Sequence, residues 1–244
     1  MKQFLPAMVL ICGIASAALA QEAAPSLITN TLNIGFTMTD GNSDTILLNG
    51  SIVSFGEKGG LGSYRAGVEG NYGESKVEGE KETTIENLYG YGNVKKTLSA
   101  RTFVSIDASA LYDKIAEVDY RLIIGPDLGA YLVKNDRLTL SVETGPVYIA
   151  EKLDGISEDY SALRLSERLD FTISPTAKLW QAAEYLPKTD DFDKYLFNAE
   201  IGMEAAINSR MKLRVVLQDK YNNTPATGKE RNDLTLISGL SISL

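Results

Sequence analysis

The sequence predicts an all-β protein, and more narrowly a transmembrane antiparallel up-and-down β-barrel of about 12 strands. From residue 28 onward, twelve stretches alternate apolar and polar residues with a period of two, and no stretch has a helical period. Most of these stretches run about ten to thirteen residues, whereas globular strands average about five to six. Long strands of alternating polarity are typical of barrels that cross an outer membrane.

The predicted strands follow one another along the whole chain. In the first of them, Ile34 and Phe36 lie on one face while Asn33 and Gly35 lie on the other. The stretch 84–96 is ambiguous, because its tyrosines oppose its leucine and valine. The expected strands are about residues 28–38, 45–55, 64–73, 84–96, 102–113, 118–132, 138–150, 160–172, 177–186, 195–206, 211–221 and 232–244.

Apart from 40–43, which is short, and 56–62, which is not, the connections between these strands alternate between two kinds. Short connections occur at 99–102, 134–137, 174–176 and 208–210. Longer, acidic connections occur at 74–82, 113–119, 151–159, 187–194 and 222–232. A barrel with tight turns at one end and long loops at the other is the outer-membrane arrangement, so we expect the acidic loops outside and both termini in the periplasm.

Eight tyrosines fall within a few residues of the long connections, and all except Tyr160 share the parity of the apolar face. A ring of tyrosines at one height predicts an interfacial girdle, with the rings in the acyl chains and the hydroxyls among the headgroups. The alternative is that tyrosine simply favours strands. The eight residues are Tyr72, Tyr112, Tyr120, Tyr148, Tyr160, Tyr185, Tyr195 and Tyr221.

The opposite parity carries charges of both signs, interspersed with glycines. In a membrane barrel these side chains line the lumen, where acids and bases can neutralise one another in paired layers. In a soluble, lipocalin-like periplasmic barrel that binds a ligand, the same charges would face solvent and the apolar face would line the cavity. The candidate lumen residues are Arg65, Glu69, Asp107, Arg121, Asp127, Glu143, Arg164 and Arg168.

The first twenty residues have the features of a cleaved signal peptide. Lys2 supplies a positive charge, residues 4–19 are mostly apolar, and Ala18-Leu19-Ala20 fits the small-residue cleavage rule. The apolar run is shorter than the roughly 20 residues of a spanning helix, which argues against a permanent anchor. We therefore expect residues 1–20 to be removed and residues 21–244 to form one barrel domain in the outer membrane of a Gram-negative-type bacterium.

Composition excludes several classes of function. The chain contains no histidine, which removes Ser-His-Asp triads and the usual zinc sites. Its only cysteine, Cys12, lies in the predicted signal peptide. Without that segment, 23 Lys and Arg face 32 Asp and Glu, since only Lys2 is lost from the 24 basic residues of the whole chain. This balance argues against nucleic acid as a partner.

The last stretch, "LTLISGLSISL" (234–244), alternates up to its final residue. Chain ends normally fray, so a strand pattern there needs a partner. Closing a membrane barrel requires the last strand to pair with the first, because no open edge is tolerated in lipid. We expect residues 234–244 to be the closing strand.

Three longer segments resemble a known family. These are "GFTMTDGNSDT" (35–45), "VDYRLIIGPDLGAYLVKNDRLTLSVETGPVY" (118–148), and "LRLSERLDF" (163–171) taken with "LWQAAEYLP" (179–187). They resemble the salt-induced outer-membrane proteins (YdiY-like), a bacterial domain of unknown function, over essentially the whole chain after residue 20. The resemblance implies an outer-membrane barrel whose biochemical role is unassigned.

Three functions remain open from the sequence. One is a narrow channel for water and small ions. Another is a structural, salt-responsive barrel of the cell envelope whose lumen is filled by ion pairs. The third is an outer-membrane enzyme with an acid dyad among Glu69, Asp107 and Asp127, although carboxylates near arginines are more often structural. We expect no enzyme and no firmly bound metal or cofactor.

The predicted outer loops carry 18 acids against 8 bases. Asp190, Asp191 and Asp193 offer three carboxylates within one loop, so they are candidates for loosely bound Ca²⁺ or Mg²⁺. Such ions would bridge the loops to lipopolysaccharide phosphates. The expected partners are therefore outer-membrane lipid, lipopolysaccharide and the barrel-assembly machinery.

One residue, Glu167, fits the pattern poorly, because it has the parity of the apolar face. Either a bulge reverses the register there or Glu167 contacts a partner chain.

Overall fold

The computed structural model describes residues 26–39, 43–59, 61–77 and 80–244. Within these ranges there is no helix long and apolar enough to cross a membrane. The predicted signal peptide, residues 1–20, lies outside the described residues. The strands are β1 Ser26–Thr39, β2 Ser43–Lys58, β3 Gly62–Val77, β4 Glu80–Thr97, β5 Thr102–Asp113, β6 Val118–Lys134, β7 Leu138–Leu153, β8 Ile156–Ser174, β9 Ala177–Lys188, β10 Asp191–Ala206, β11 Met211–Asn222 and β12 Asn232–Ser243.

The twelve strands form a closed antiparallel barrel in which each strand pairs with its neighbours in sequence. The hairpins β1–β2, β3–β4, β5–β6, β7–β8, β9–β10 and β11–β12 lie at one end, which we call the acidic end. The other five hairpins, the start of β1 and the end of β12 lie at the opposite end, which we call the basic end. The predicted fold class is confirmed.

The barrel closes between β1 and β12. Their ladder runs from Thr31 opposite Ser243 to Gly35 opposite Gly239, which is shorter than the ladder between β11 and β12. The backbone amide of Leu244 adds one further hydrogen bond to the Asn30 carbonyl, at 2.9 Å. The alternating C-terminal stretch is therefore the closing strand, paired with β11 on one side and with β1 on the other.

Glycines allow the two strands to approach at this seam. A Cβ on Gly239 would lie 2.2 Å from the carbonyl oxygen of Ile34, and one on Gly35 would lie 2.7 Å from the carbonyl oxygen of Ser238. Both obstacles are backbone atoms, which cannot rotate away. The close approach of β1 and β12 therefore requires glycine at both positions.

Side chains alternate between the lumen and the outer wall. On β6, Leu122 is 48% exposed, whereas its neighbours Arg121 and Ile123 are 9% and 8% exposed. Other strands also carry exposed apolar side chains on the outer wall, among them Ile52 on β2 and Val94 on β4. The apolar face therefore points outward and the charged face inward, which is the reverse of the lipocalin-like alternative.

The acidic end differs from expectation, because three of the five connections predicted as long loops are mostly strand. β7 and β8 are joined by Asp154 and Gly155 alone, and β9 and β10 by residues 189–190. Asp154 and Gly155 have φ values of 51° and 73°, the left-handed pair of a two-residue hairpin turn. Strands β3 and β4 likewise reach Val77 and Glu80. Of the five predicted long connections, only 114–117 and 223–231 remain.

The structure also settles the position of Glu167. The β7–β8 register is continuous through Val142 opposite Glu167, so no bulge reverses that strand. Glu167 stays on the outer wall and accepts a hydrogen bond from the Gln181 amide on β9. The bulge explanation is wrong, and a polar pair lies within the apolar wall.

Candidate functional site

The candidate site is the lumen, and its central charge is Arg164 on β8, which is 5% exposed. Its Nη1 lies 2.5 Å from Oδ2 of Asp127 on β6, and its Nε lies 2.9 Å from Oε2 of Glu184 on β9. The same Nη1 is 3.9 Å from Oδ2 of Asp107 on β5. One buried cation thus faces three carboxylates drawn from strands on both sides of it.

Gly145 on β7 makes this arrangement possible. It lies opposite Arg164 in the β7–β8 register. A Cβ there would lie 2.0 Å from the Pro126 carbonyl oxygen and 2.7 Å from Asp127 Oδ1. A side chain at this position would displace the Asp127 carboxylate from the guanidinium.

Further charges pair inside the lumen in separate groups. Lys95 on β4 reaches Glu143 on β7 at 2.5 Å, and the Ser105 hydroxyl donates to the same carboxylate at 2.8 Å. Arg121 Nε lies 2.5 Å from Glu151 Oε2. The strands that carry Lys95 and Glu143 are separated by two others, so this pair spans the interior and does not lie along the wall.

We expected the predicted lumen residues to form paired layers with one another. Most of them pair instead with other residues. Only Asp107, Asp127 and Arg164 form one group. Arg168 pairs with Asp170 at 2.8 Å and approaches Glu200 at 3.8 Å. The remaining placements are Glu143 with Lys95, Arg121 with Glu151, Glu69 accepting from the Asn71 amide at 3.3 Å, and Arg65 with its guanidinium 5.6 Å from the Phe55 ring centroid.

A ladder of asparagine side chains lines the lumen along β2 to β5. The Asn49 amide donates to Asn71 Oδ1 at 2.6 Å, and the Asn71 amide donates to Asn87 Oδ1 at 2.8 Å. The Asn87 amide then approaches Asp113 Oδ2 at 3.4 Å. The sequence interpretation missed this ladder, although its residues share the inward parity on adjacent strands.

An apolar cluster also lies inside the barrel, on the same parity as the charges. It packs near the acidic end and includes the ring of Tyr160, whose hydroxyl donates to Glu151 Oε1 at 2.9 Å. Tyr160 is thus part of the interior and not of the outward tyrosine ring. The buried members of the cluster are Ile123, Val147, Ile149, Ala162, Leu186 and Leu196.

Aromatic side chains fill further space in the lumen. Tyr89 and Tyr91 point inward from β4 and stack with ring centroids 5.7 Å apart, which resolves the ambiguous stretch 84–96. Trp180 Nε1 donates to Glu200 Oε1 at 2.9 Å. A Cβ on Gly202 would lie 2.1 Å from the Trp180 ring, so glycine leaves the space that the indole occupies.

At the acidic end, the loop 223–231 folds over the mouth of the barrel. Ala226 at its centre is 4% exposed. The backbone N–H of Asn223 donates to the Tyr195 carbonyl at 3.1 Å, and Tyr221 stacks on Tyr195 with ring centroids 5.6 Å apart. The loop is therefore attached to the wall and covers part of the entrance.

The candidate divalent-cation residues do not share a loop. Asp190 lies in the turn and approaches Lys188 at 3.7 Å, whereas Asp191 begins β10 and approaches Lys194 at 3.8 Å. Asp193 follows on the same strand. Within the part of the chain that the structure describes, no three acidic, cysteine or histidine side chains are arranged to hold a metal ion.

The sequence of residues 32–244 matches a family described as "Protein of unknown function, DUF481". The chain belongs to the DUF481 family. The matched range contains all three segments that carry the resemblance noted from the sequence, so that resemblance is confirmed at the level of an uncharacterised family. Among curated proteins, no sequence match was found.

Solved structures resemble this DUF481 barrel in fold. The NanC porin aligns with a TM-score of 0.54 and 11% identity, over 88% of this chain and 100% of the porin. The KdgM porin in complex with disordered oligogalacturonate gives 0.48 and 9%, over 89% and 99% of the two chains. The COG4313 outer membrane channel from Pseudomonas putida F1 gives 0.48 and 9%, over 93% and 97%.

Proposed function

We propose that this protein is an outer-membrane barrel closed by its own side chains, which serves as a structural component of the cell envelope. One observation carries the proposal: buried side chains face the lumen from every strand except β4. β4 contributes the Tyr89–Tyr91 stack instead. A water-filled pore would leave such side chains accessible to solvent.

Three features support the membrane location. The outward face is an apolar band, as a barrel in lipid requires. Outward tyrosines collect near the acidic end, among them Tyr72, Tyr112 and Tyr148, which matches an interfacial girdle. The predicted signal peptide would direct the chain across the inner membrane, and residues 21–244 would then form the single barrel domain.

Several finer assignments complete the proposal. The salt-responsive role is suggested by the family resemblance, the barrel-assembly machinery as a partner by the membrane location, and a non-enzymatic role by the histidine-free sequence. The acidic end would bind Ca²⁺ or Mg²⁺ loosely, with Asp190, Asp191 and Asp193 as contacts. These ions would bridge the acidic end to lipopolysaccharide phosphates.

Planar-bilayer recordings test the closed barrel. We expect the purified protein to show no steady conductance. We expect a triple variant Ile149→Ala, Leu186→Ala and Leu196→Ala to conduct, because it truncates three of the six buried members of the apolar cluster. The matched control is the triple variant Leu122→Ala, Ile124→Ala and Leu128→Ala on the outer wall, which leaves the lumen unchanged. A steady, large conductance from the unmodified protein would overturn the closed barrel, and recovery of the intact protein from the soluble periplasmic fraction would overturn the membrane location.

A narrow cation channel is the second candidate, and the surplus of acid at Arg164 favours it. Asp107 Oδ2 and Asp127 Oδ1 are buried without a hydrogen-bond partner among the described residues. Water or a small cation passing through the lumen would satisfy these oxygens. In asymmetric KCl, reversal potentials should then show a cation preference that falls when Asp107 becomes Asn and when Asp190, Asp191 and Asp193 become Asn.

A further inference from the structure

Positive charge gathers at the basic end of the barrel. Its strand ends and turns contain nine lysines and arginines against the three acids Glu57, Asp136 and Glu204. Five of the cations are exposed and lie in the turns or at outward positions of strand ends. These five, which we call the basic belt, are Lys58, Lys96, Arg101, Arg137 and Arg210.

The belt is not neutralised by the carboxylates of the residues that the structure describes. No carboxylate oxygen of the described residues lies within 4.0 Å of its five cationic groups. At the acidic end the pattern is the opposite: Lys81 lies 2.6 Å from Glu74, and Lys114 lies 2.7 Å from Glu86. The belt therefore holds positive charge that an external anion can neutralise.

The belt also lies at the edge of the apolar wall. Lys58 and Lys96 have the outward parity of their strands. The Arg137 guanidinium lies 5.7 Å from the centroid of Phe171, which shares the outward face of β8. Long basic side chains and aromatic rings at the end of an apolar band are the arrangement found at a membrane interface.

We propose that the basic belt binds the phosphate groups of anionic phospholipids in the leaflet around the basic end. The inference rests on the membrane location proposed above. A phosphodiester offers charged acceptor oxygens, which arginine can bind with two parallel hydrogen bonds and lysine as a point charge. Basic residues beside a bilayer are attracted to anionic headgroups in the same way.

The distribution of the cations favours lipid over an acidic protein. They occur in four of the five hairpins at the basic end: β2–β3, β4–β5, β6–β7 and β10–β11. Together they surround the barrel and do not form one contiguous patch. A ring of headgroups meets such a belt on all sides, whereas a folded partner would contact only part of it.

Native mass spectrometry of the detergent-solubilised full barrel tests the inference with equal amounts of phosphatidylglycerol and phosphatidylcholine. We expect the protein to prefer phosphatidylglycerol by roughly fivefold for each engaged cation, the equivalent of about 1 kcal/mol per basic residue. The variant with all five belt residues replaced by Gln should bind both lipids equally. A matched control replaces five acidic-end lysines, Lys76, Lys81, Lys114, Lys152 and Lys194, by Gln and should keep the preference.

Equal binding of the two lipids by the unmodified protein would overturn the belt, as would a preference that survives the five belt substitutions. Loss of binding to poly-glutamate in the belt variant, with lipid preference unchanged, would assign the belt to an acidic protein and also overturn the inference. Flotation with neutral phosphatidylcholine vesicles separates the two levels. If the unmodified barrel floats with the vesicles but shows no lipid preference, only the belt is wrong. If the barrel does not float with any vesicles, the membrane location itself fails.

Discussion

Lys229 and Glu117 form an ion pair across the mouth of the barrel. The Lys229 Nζ lies 3.0 Å from Glu117 Oε1. Lys229 belongs to the loop between β11 and β12, and Glu117 to the loop between β5 and β6, which lies on the opposite side of the strand order. The pair holds the loop 223–231 over the entrance, and both side chains remain about one-third exposed, so salt can screen their attraction.

The first prediction is that this pair limits access to the lumen. Residues 21–244 contain no cysteine, so Glu117→Cys with Lys229→Cys gives a clean disulfide test. In a barrel whose lumen has been opened by the Ile149, Leu186 and Leu196 substitutions, oxidation should lower conductance and reduction should restore it. The single variants Glu117→Cys and Lys229→Cys are the controls, because neither can close a disulfide across the mouth. Equal effects of oxidation on the single variants and on the double variant would contradict a role for the loop.

The second prediction concerns the buried charge at Arg164. Arg164→Met should lower the free energy of unfolding by about 3–5 kcal/mol, since it leaves the Asp127 carboxylate buried without its cation. Adding Asp127→Asn and Glu184→Gln to that variant should recover part of the loss. Urea titrations in micelles measure both. Arg168→Met, at a more exposed position, is the control and should cost less.

If the unfolding free-energy changes of Arg164→Met, Asp127→Asn and Glu184→Gln simply add, the three side chains do not interact. In that case the distances at Arg164 would not describe an energetic coupling, and the packed lumen would depend on its apolar and aromatic side chains instead.

The third prediction concerns the β1–β12 seam. Gly239→Ala should reduce the yield of folded, heat-modifiable barrel, because the new Cβ meets the backbone oxygen of Ile34. Overpacking of this kind costs about 1–3 kcal/mol. Gly90→Ala is a matched control, since a Cβ there has no atom within 4 Å. Similar folding yields for the two variants would show that the close approach at the seam is not required.

The fourth prediction concerns the polar pair on the outer wall. Gln181→Leu should destabilise the barrel, because it leaves Glu167 in the apolar wall without its hydrogen-bond partner. The double variant Gln181→Leu and Glu167→Leu should be at least as stable as the original, since both polar groups are gone. Thermal unfolding in micelles distinguishes the two. Sedimentation of the double variant also tests the partner-chain explanation, which requires its oligomeric state to change.

Parity along the sequence predicted the wall of the barrel but not the ends of its hairpins. Leu122 and Ile124 could be assigned to the apolar face, because alternation along a strand does not depend on the register in which the strand pairs. The acidic composition of 151–159 suggested a loop, although Asp154-Gly155 is a strong two-residue turn signal. The strands β7 and β8 therefore extend further than composition indicated.

The contacts inside the lumen could not be predicted, for a physical reason. Alternation places Lys95 and Glu143 on the same face, but which inward side chains meet across a barrel depends on strand tilt and stagger. Neither is visible in local sequence. The same limit explains why Ile149 and Leu186 were not recognised as interior: on one strand, an apolar residue of inward parity looks like an exception, and only the closed barrel brings several together.

The asparagine ladder has a direction, and two carboxylates set it: Asp113 at its end, and Glu69, which also accepts from the Asn71 amide. Each amide in turn donates toward β5, and the last one faces Asp113, which as a carboxylate can only accept. Turning one amide around would place two donors or two acceptors against each other, so the orientations of Asn49, Asn71 and Asn87 are locked together. Asp113 and Glu69 thereby fix the polarity of a row of dipoles that begins on β2, three strands away from Asp113.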